Sequence, residues 1–187
     1  ILFDLGLITH EVRPGSEEGL AACEAASTGP LDEGSVGAGT GATVAKARGI
    51  NAAVKCGIGS ASLRLPGGAV VAAVVAVNAY GGVYDYKTGR LMAGPRRADQ
   101  GGFEDPMAIL LAVDGSDEAA PMTNTTIGLV ATDAVLSKEE VNHLAGLSHD
   151  GLALTIRPCH TMRDGDTMFA LATGRGSQTS DLMALGA

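Results

Sequence analysis

The chain has 187 residues, 45% of them hydrophobic and 18% charged, with 13 basic against 21 acidic residues and a net charge of −8 at pH 7. This composition supplies the apolar surface for one packed domain and excludes intrinsic disorder. The acidic balance and an aromatic content of 3% exclude a nucleic-acid backbone and a base-stacking platform as partners. Cys23, Cys56 and Cys159 are scattered, with no CxxC pair. Neither a zinc site nor a disulfide framework is expected, and the thiols read as idle in a reducing, cytoplasmic compartment. The longest apolar run, residues 69–77, falls far short of the ~20 residues of a membrane helix, so no membrane partner is expected. The sequence opens Ile1-Leu2-Phe3-Asp4-Leu5 without an initiator Met, as if inside a strand, and is expected to be an internal piece of a longer protein.

In chain order, Ser16-Glu17-Glu18 followed by Leu20, Ala21, Ala22, Ala25 and Ala26 predicts an alanine-rich helix with acids at its positive end, stopping near Gly29-Pro30. A glycine-rich stretch, 34–43, follows and ends near Lys46. Residues 55–65 and 68–78 read as strands joined by a Pro66-Gly67-Gly68 turn, the second covered on both faces because small and β-branched residues fill every position. Tyr80 to Gly102 is polar and turn-rich and reads as a surface excursion. Asp105-Pro106 is a helix start leading into residues 107–113. Beyond an acidic loop at 114–121, residues 125–131 read as a strand. Ser137-Lys138-Glu139-Glu140 is a capping box, with Leu136 and Val141 as its hydrophobic staple, and Val141, Leu144 and Leu147 continue a helical face. Residues 152–156 and 167–173 read as two further strands. Strands and helices mix in order, as in a layered α/β domain.

Three stretches could carry chemistry. The glycine-rich one fails both nucleotide patterns: position 42 is Ala where the dinucleotide fingerprint needs Gly, and Lys46 is followed by Ala47 rather than Ser or Thr. What is left is close backbone packing or a turn beside a site. The second is Asn124-Thr125-Thr126, at the junction of the acidic loop and an apolar strand. It fits a Thr-rich strand start, a glycosylation sequon, or a self-cleavage site. In the last case an acyl shift to the Thr hydroxyl would free Thr125 as a terminus carrying both a nucleophile and an α-amine base. The third is Asp164-Gly165-Asp166. It fits a hairpin turn with solvated carboxylates, or a carboxylate pair close enough to hold a nucleophile and share a proton. A calcium loop lacks the remaining ligands, and His143, His149 and His160 show no metal-ligand spacing, so no metal is expected.

Three motifs in register then point to a family. Residues 124–134 (Asn-Thr-Thr-Ile-Gly-Leu-Val-Ala-Thr-Asp-Ala), His149-Asp-Gly-Leu-Ala153, and 156–174 with the run Arg-Pro-Cys-His-Thr-Met-Arg-Asp-Gly-Asp-Thr resemble the L-aminopeptidase/D-esterase (DmpA-like) peptidases. That family includes β-peptidyl aminopeptidases and nylon-oligomer hydrolases. Residues 36–46, 57–63 and 74–78 resemble it as well. The resemblance implies an αββα sandwich, layered like the N-terminal-nucleophile hydrolases but connected differently. It implies a precursor cut between Asn124 and Thr125, with 1–124 in an α-chain and 125–187 in a β-chain, both parts of a longer single-domain protein. Thr125 is then the nucleophile and Asn78 an oxyanion donor, Asp164 and Asp166 assist the nucleophile, and Lys46 lies near the active site. No cofactor or metal is implied. The substrate is a peptide or small amide, and the assembly a homo-oligomer, often a tetramer. Phe3 departs from the pattern, standing where some members have a Tyr close to the nucleophile. Two other readings accompany this one: acyl transfer of the ornithine-acetyltransferase kind, and an uncleaved, non-catalytic member acting as a scaffold.

Overall fold

The computed structural model describes residue 11 and residues 13–99, 101–112, 124–176 and 181–187. The expected strand at the start of the chain, Phe3, and the acidic stretch 114–121 lie outside the described residues.

Helix α1 (Ser16–Glu24) forms where expected and stops at Ala25, ahead of the Gly29-Pro30 breaker. Its N-cap, Gly15, has no side chain to offer, so Glu18 reaches back to the Gly15 N–H at 2.7 Å, a bond that lowers the Glu18 carboxyl from its usual range. None of its residues is buried. The glycine-rich stretch serves close packing: a Cβ at Gly57 would lie 2.0 Å from the Gly34 carbonyl oxygen, so only glycine admits that approach. It delivers the chain into β1 (Thr43–Val44), which pairs antiparallel with β2 (Val54–Lys55).

Strands β3 (Ile58–Arg64) and β4 (Val70–Asn78) form an antiparallel pair over seven residues, with β3 the exposed edge. β4 is not buried on both faces as expected: Ala76 and Asn78, which share one face, are buried, and its other seven residues are half-buried. After β5 (Gly82–Tyr84), β6 (Leu91–Ala93) and helix α2 (Pro106–Ala112), the chain returns as β7 (Thr125–Thr132). β7 runs antiparallel to β4 over eight residues. Helix α3 (Lys138–Thr155), opened by the predicted capping box, then carries the chain across to β8 (Ile156–Arg157) and on to β9 (Thr167–Ala172). β9 lies parallel to β7, and parallel neighbours need such a crossover. The resulting sheet has the order β3-β4-β7-β9. Leu144 and Leu152 of α3 pack with Val130 of β7, Met168 of β9 and Leu185 of the short helix α4 (Leu182–Gly186) to form the centre of the core.

Two further expectations are corrected. Residues 80–102 are a surface excursion only in part: 86–90 and 96–99 are exposed, but β5 and β6 join β8 in a second sheet of order β6-β5-β8, and Tyr80, Tyr84 and Pro95 are buried. Small residues make this possible. A Cβ at Gly81 would stand 2.1 Å from the Pro158 carbonyl oxygen, so the segment packs backbone against backbone and its polar composition hides the burial. Residues 152–156 are helix for four of five positions, not strand. Leu152 lies two turns beyond Leu144 on the same buried face, and that 3.6-residue period outweighs a short apolar run.

Candidate active site

The register of the central pair sets the site. β4 ends at Asn78 and β7 begins at Thr125, and the two are direct cross-strand partners. Both are buried, Asn78 completely. The Asn78 amide is fixed by two groups that can only donate: the Thr43 N–H reaches its Oδ1 at 3.0 Å and the Lys46 ammonium at 2.6 Å. The carbonyl end is thereby assigned without ambiguity, and the Nδ2 end is left as the hydrogen-bond donor. Lys46 is therefore not an ordinary solvated lysine. It is held beside Asn78 by the residue before it: Ala45 is fully buried with φ of 63°, a left-handed conformation that costs energy for any residue with a Cβ. Flanking bonds from the Ala45 N–H to the Gly81 carbonyl (2.7 Å) and from the Lys46 N–H to the Tyr80 carbonyl (2.9 Å) impose it.

One residue ahead of β7, Asn124 forms a parallel bridge with Asp164. Its carbonyl oxygen accepts the Gly165 N–H at 2.9 Å and lies 2.5 Å from the Thr125 hydroxyl, which donates to it. The Asn124 side chain donates from Nδ2 to the Arg163 carbonyl at 3.0 Å. Its Oδ1, together with the Thr126 hydroxyl, is buried with no partner among the described residues. The peptide bond between 124 and 125 thus lies buried, its carbonyl polarised by a backbone N–H and a hydroxyl poised next to it.

The two aspartates grip this junction through separate donor sets. Asp164 Oδ1 accepts the Tyr80 N–H at 3.0 Å and its Oδ2 accepts the Thr161 hydroxyl at 2.5 Å. Asp166 Oδ1 accepts the Thr126 N–H at 2.8 Å, while its Oδ2 accepts the His160 N–H at 2.9 Å and faces His160 Nδ1 at 3.1 Å. The segment is accordingly not a solvated hairpin turn. Among the described residues neither carboxylate hydrogen-bonds the other or the Thr125 hydroxyl, and Asp166 reaches the junction through the backbone of Thr126. Burial, followed by the charges of Asp166 and Asp164, raises the Cys159 thiol from its usual value.

The structure thus gathers Lys46, Asn78, Asn124, Thr125, Asp164 and Asp166 around one peptide bond. Sequence reasoning missed Thr43, whose contribution is a backbone N–H, and Gly165, whose glycine identity is the signal. A Cβ there would lie 3.0 Å from the Thr125 Oγ1. It also passed over His160, six residues ahead of Asp166 in the same loop. No group of three or more His, Cys, Asp or Glu that could hold a metal ion occurs among the described residues. Among them, too, no helix is long and apolar enough to cross a membrane.

Comparison with known proteins shows the family and fold of the chain. An uncharacterised aminopeptidase of Mycobacterium leprae is 41% identical over 96% of this chain and 50% of its own length. The 6-aminohexanoate-oligomer endohydrolase of Paenarthrobacter ureafaciens is 31% identical over 92% of this chain and 48% of its own. The chain therefore spans about half the length of these relatives. Among solved structures, a Burkholderia sp. β-aminopeptidase aligns with a TM-score of 0.55 and 26% identity, over 90% of this chain and 40% of that one. The L-aminopeptidase D-Ala-esterase/amidase of Ochrobactrum anthropi, described as a variant of the Ntn-hydrolase fold, aligns with a TM-score of 0.55 at 20% identity, over 83% and 36%. The mixed α/β fold is of this DmpA type. The sequence model of peptidase family S58 matches residues 2–185, and the chain belongs to that family.

Proposed function

We propose that the chain is the catalytic part of a self-processing amidase that cuts its own Asn124–Thr125 bond and then uses Thr125 as an N-terminal nucleophile on peptide or small-amide substrates. The observation that carries the reading is the buried 124–125 peptide, with the Thr125 hydroxyl and the Gly165 N–H both on its carbonyl oxygen. In self-cleavage, Thr125 Oγ1 attacks the Asn124 carbonyl carbon while the Gly165 N–H holds the developing oxyanion. The C–N bond breaks, the hydroxyl proton ends on the departing Thr125 nitrogen, and an ester joins Asn124 to Thr125. Water hydrolyses that ester and releases an Asn124 carboxylate and a free Thr125 amine and hydroxyl.

The liberated amine, with an ordinary pKa of about 7.7–8.0, serves as general base near neutral pH. It takes the hydroxyl proton as Oγ1 attacks a substrate amide and gives it to the leaving amine, and water then hydrolyses the acyl-enzyme. Asn78 Nδ2 is the donor for the substrate oxyanion, and Lys46 and Thr43 hold the opposite end of its amide. Asp164 and Asp166 position the strand start rather than accept the nucleophile's proton. The relatives named aminopeptidase and oligomer endohydrolase support an amide substrate.

The test is denaturing intact-mass analysis of the full-length protein. The wild type should give two fragments, the second beginning at Thr125, with activity on amino-acid anilides. Thr125→Ala should stay a single inactive chain. A Thr125→Ala protein cut at the same bond, or active while uncut, overturns the reading.

A further inference from the structure

The aspartate that holds the Thr126 backbone is itself held, and the chain of contacts runs outward. Asp166 has a side chain only 1% exposed, and its Oδ2 lies 3.1 Å from His160 Nδ1. A carboxylate only accepts, so the ring meets it through a nitrogen that donates when it carries a proton. The Nε2 of the same ring lies 3.3 Å from His149 Nδ1, with the ring centroids 4.8 Å apart. The Thr126 N–H donates to the other Asp166 oxygen, and the His149–His160 contact carries a proton whose donor is set by the tautomers of the two rings. His149 sits on α3, so the relay ties the helix that crosses the sheet to the residue immediately after Thr125. A second observation marks the ring as placed deliberately. His160 has φ of 55°, in the left-handed region that residues with a Cβ rarely adopt, and this conformation lets both its backbone N–H and its Nδ1 reach the same carboxylate oxygen.

We propose that His160, backed by His149, is a positioning residue of the active site: it locks the Asp166 carboxylate so that Asp166 Oδ1 fixes the Thr126 backbone and, through it, the Thr125 hydroxyl against the Asn124 carbonyl. The proposal rests on the self-processing reading above. Without the ring, Oδ2 keeps one donor instead of two, the carboxylate gains freedom to rotate, and the start of β7 loosens at the nucleophile. Misplacement of a reacting atom by an ångström costs on the order of 10²-fold in rate, so a partial loosening is worth about tenfold.

The experiment compares His160→Asn with His160→Asp in the full-length protein. Both side chains have the same shape, and both residue types tolerate the left-handed backbone, but only Asn can donate to Asp166. Self-cleavage is timed by denaturing mass analysis, and kcat and KM are measured on the cleaved enzyme. His160→Asp should lose about tenfold or more in cleavage rate and kcat with KM within about twofold, and His160→Asn should recover to within about threefold of wild type. His149→Ala, a change at a partly exposed ring, should cost roughly two- to fivefold in the same two rates. Equal rates for the Asn and Asp variants, or a loss confined to KM, overturn the proposal. Thr125→Ala separates the two levels. If it remains uncut and inactive while His160→Asp behaves as wild type, only the positioning role fails; if it is cut, the self-processing reading fails.

Discussion

Replacing Gly165 by alanine tests the geometry at the 124–125 bond with one methyl group. Gly165 has no positive φ, so alanine brings no backbone strain, and the new Cβ would lie 3.0 Å from the Thr125 Oγ1 and 3.8 Å from the Asn124 carbonyl oxygen. The first distance is shorter than ordinary van der Waals contact by several tenths of an ångström, so the hydroxyl or the loop must move by about that much. The second is ordinary contact and forces nothing. Since ~1 Å of misplacement costs about 10²-fold, a shift of a few tenths corresponds to roughly three- to tenfold, or about 0.7–1.4 kcal/mol in the barrier. Lengthening of the 2.9 Å bond from the Gly165 N–H to the Asn124 carbonyl adds to this, and full loss of an oxyanion donor costs about 10²–10³. The expected slowing of self-cleavage is therefore about tenfold to a hundredfold, with the melting temperature nearly unchanged because one methyl is added beside a polar junction. The assay follows the disappearance of intact precursor by denaturing electrophoresis after a synthesis pulse. Wild-type cleavage kinetics in a folded Gly165→Ala protein would refute the argument that Gly165 cradles this carbonyl.

Three other perturbations separate function from scaffold. Asn78→Ala removes the proposed oxyanion donor and should reduce kcat on anilide substrates by about 10²–10³ in whatever fraction of the protein matures. Ser137→Ala deletes the N-cap of α3, where the Ser137 hydroxyl accepts the Glu140 N–H at 3.2 Å. It should cost about 1 kcal/mol and lower the melting temperature by about 2–4 °C with kcat unchanged. Tyr84 is raised to about 12 by burial and by its bond to Asp105. Because the folded state holds this proton more tightly than the unfolded one, its stabilisation is complete below pH ~10 and lost as pH rises through about 12. Chemical denaturation midpoints should fall over that window, and fall less in Tyr84→Phe.

What was legible in the sequence was carried by local chemistry. The Ser137–Glu140 capping box, the Asp105-Pro106 start and the apolar run of β4 each specify their own element through hydrogen bonds or burial that neighbours in sequence supply. The Asn124–Thr125 junction was visible as a polar step into an apolar strand. Less visible were contacts made by groups every residue possesses: the N–H of Thr43 on Asn78, that of Gly165 on Asn124, and that of Thr126 on Asp166. Backbone donors leave no trace in residue type except where glycine is needed to admit them. The buried parts of segment 80–102 misled for a related reason, since burial by small residues against backbone looks like solvent exposure in a composition. His160 escaped because its significance lies in a left-handed turn and a partner on another element, neither of which spacing encodes.

Thr125 opens a strand that lies inside its sheet, zipped to β4 along eight residues on one side and to β9 along six on the other. A break in the chain ahead of that strand would nick the molecule without dividing it. The two pieces would stay interlaced as one folded body, indistinguishable by size from the uncut protein until a denaturant pulls the strands apart. The fresh end, paired with β4 from its first residue and with β9 from its third, would have little room to fray, so an amine born at that spot would be stationed for work from the moment of its release.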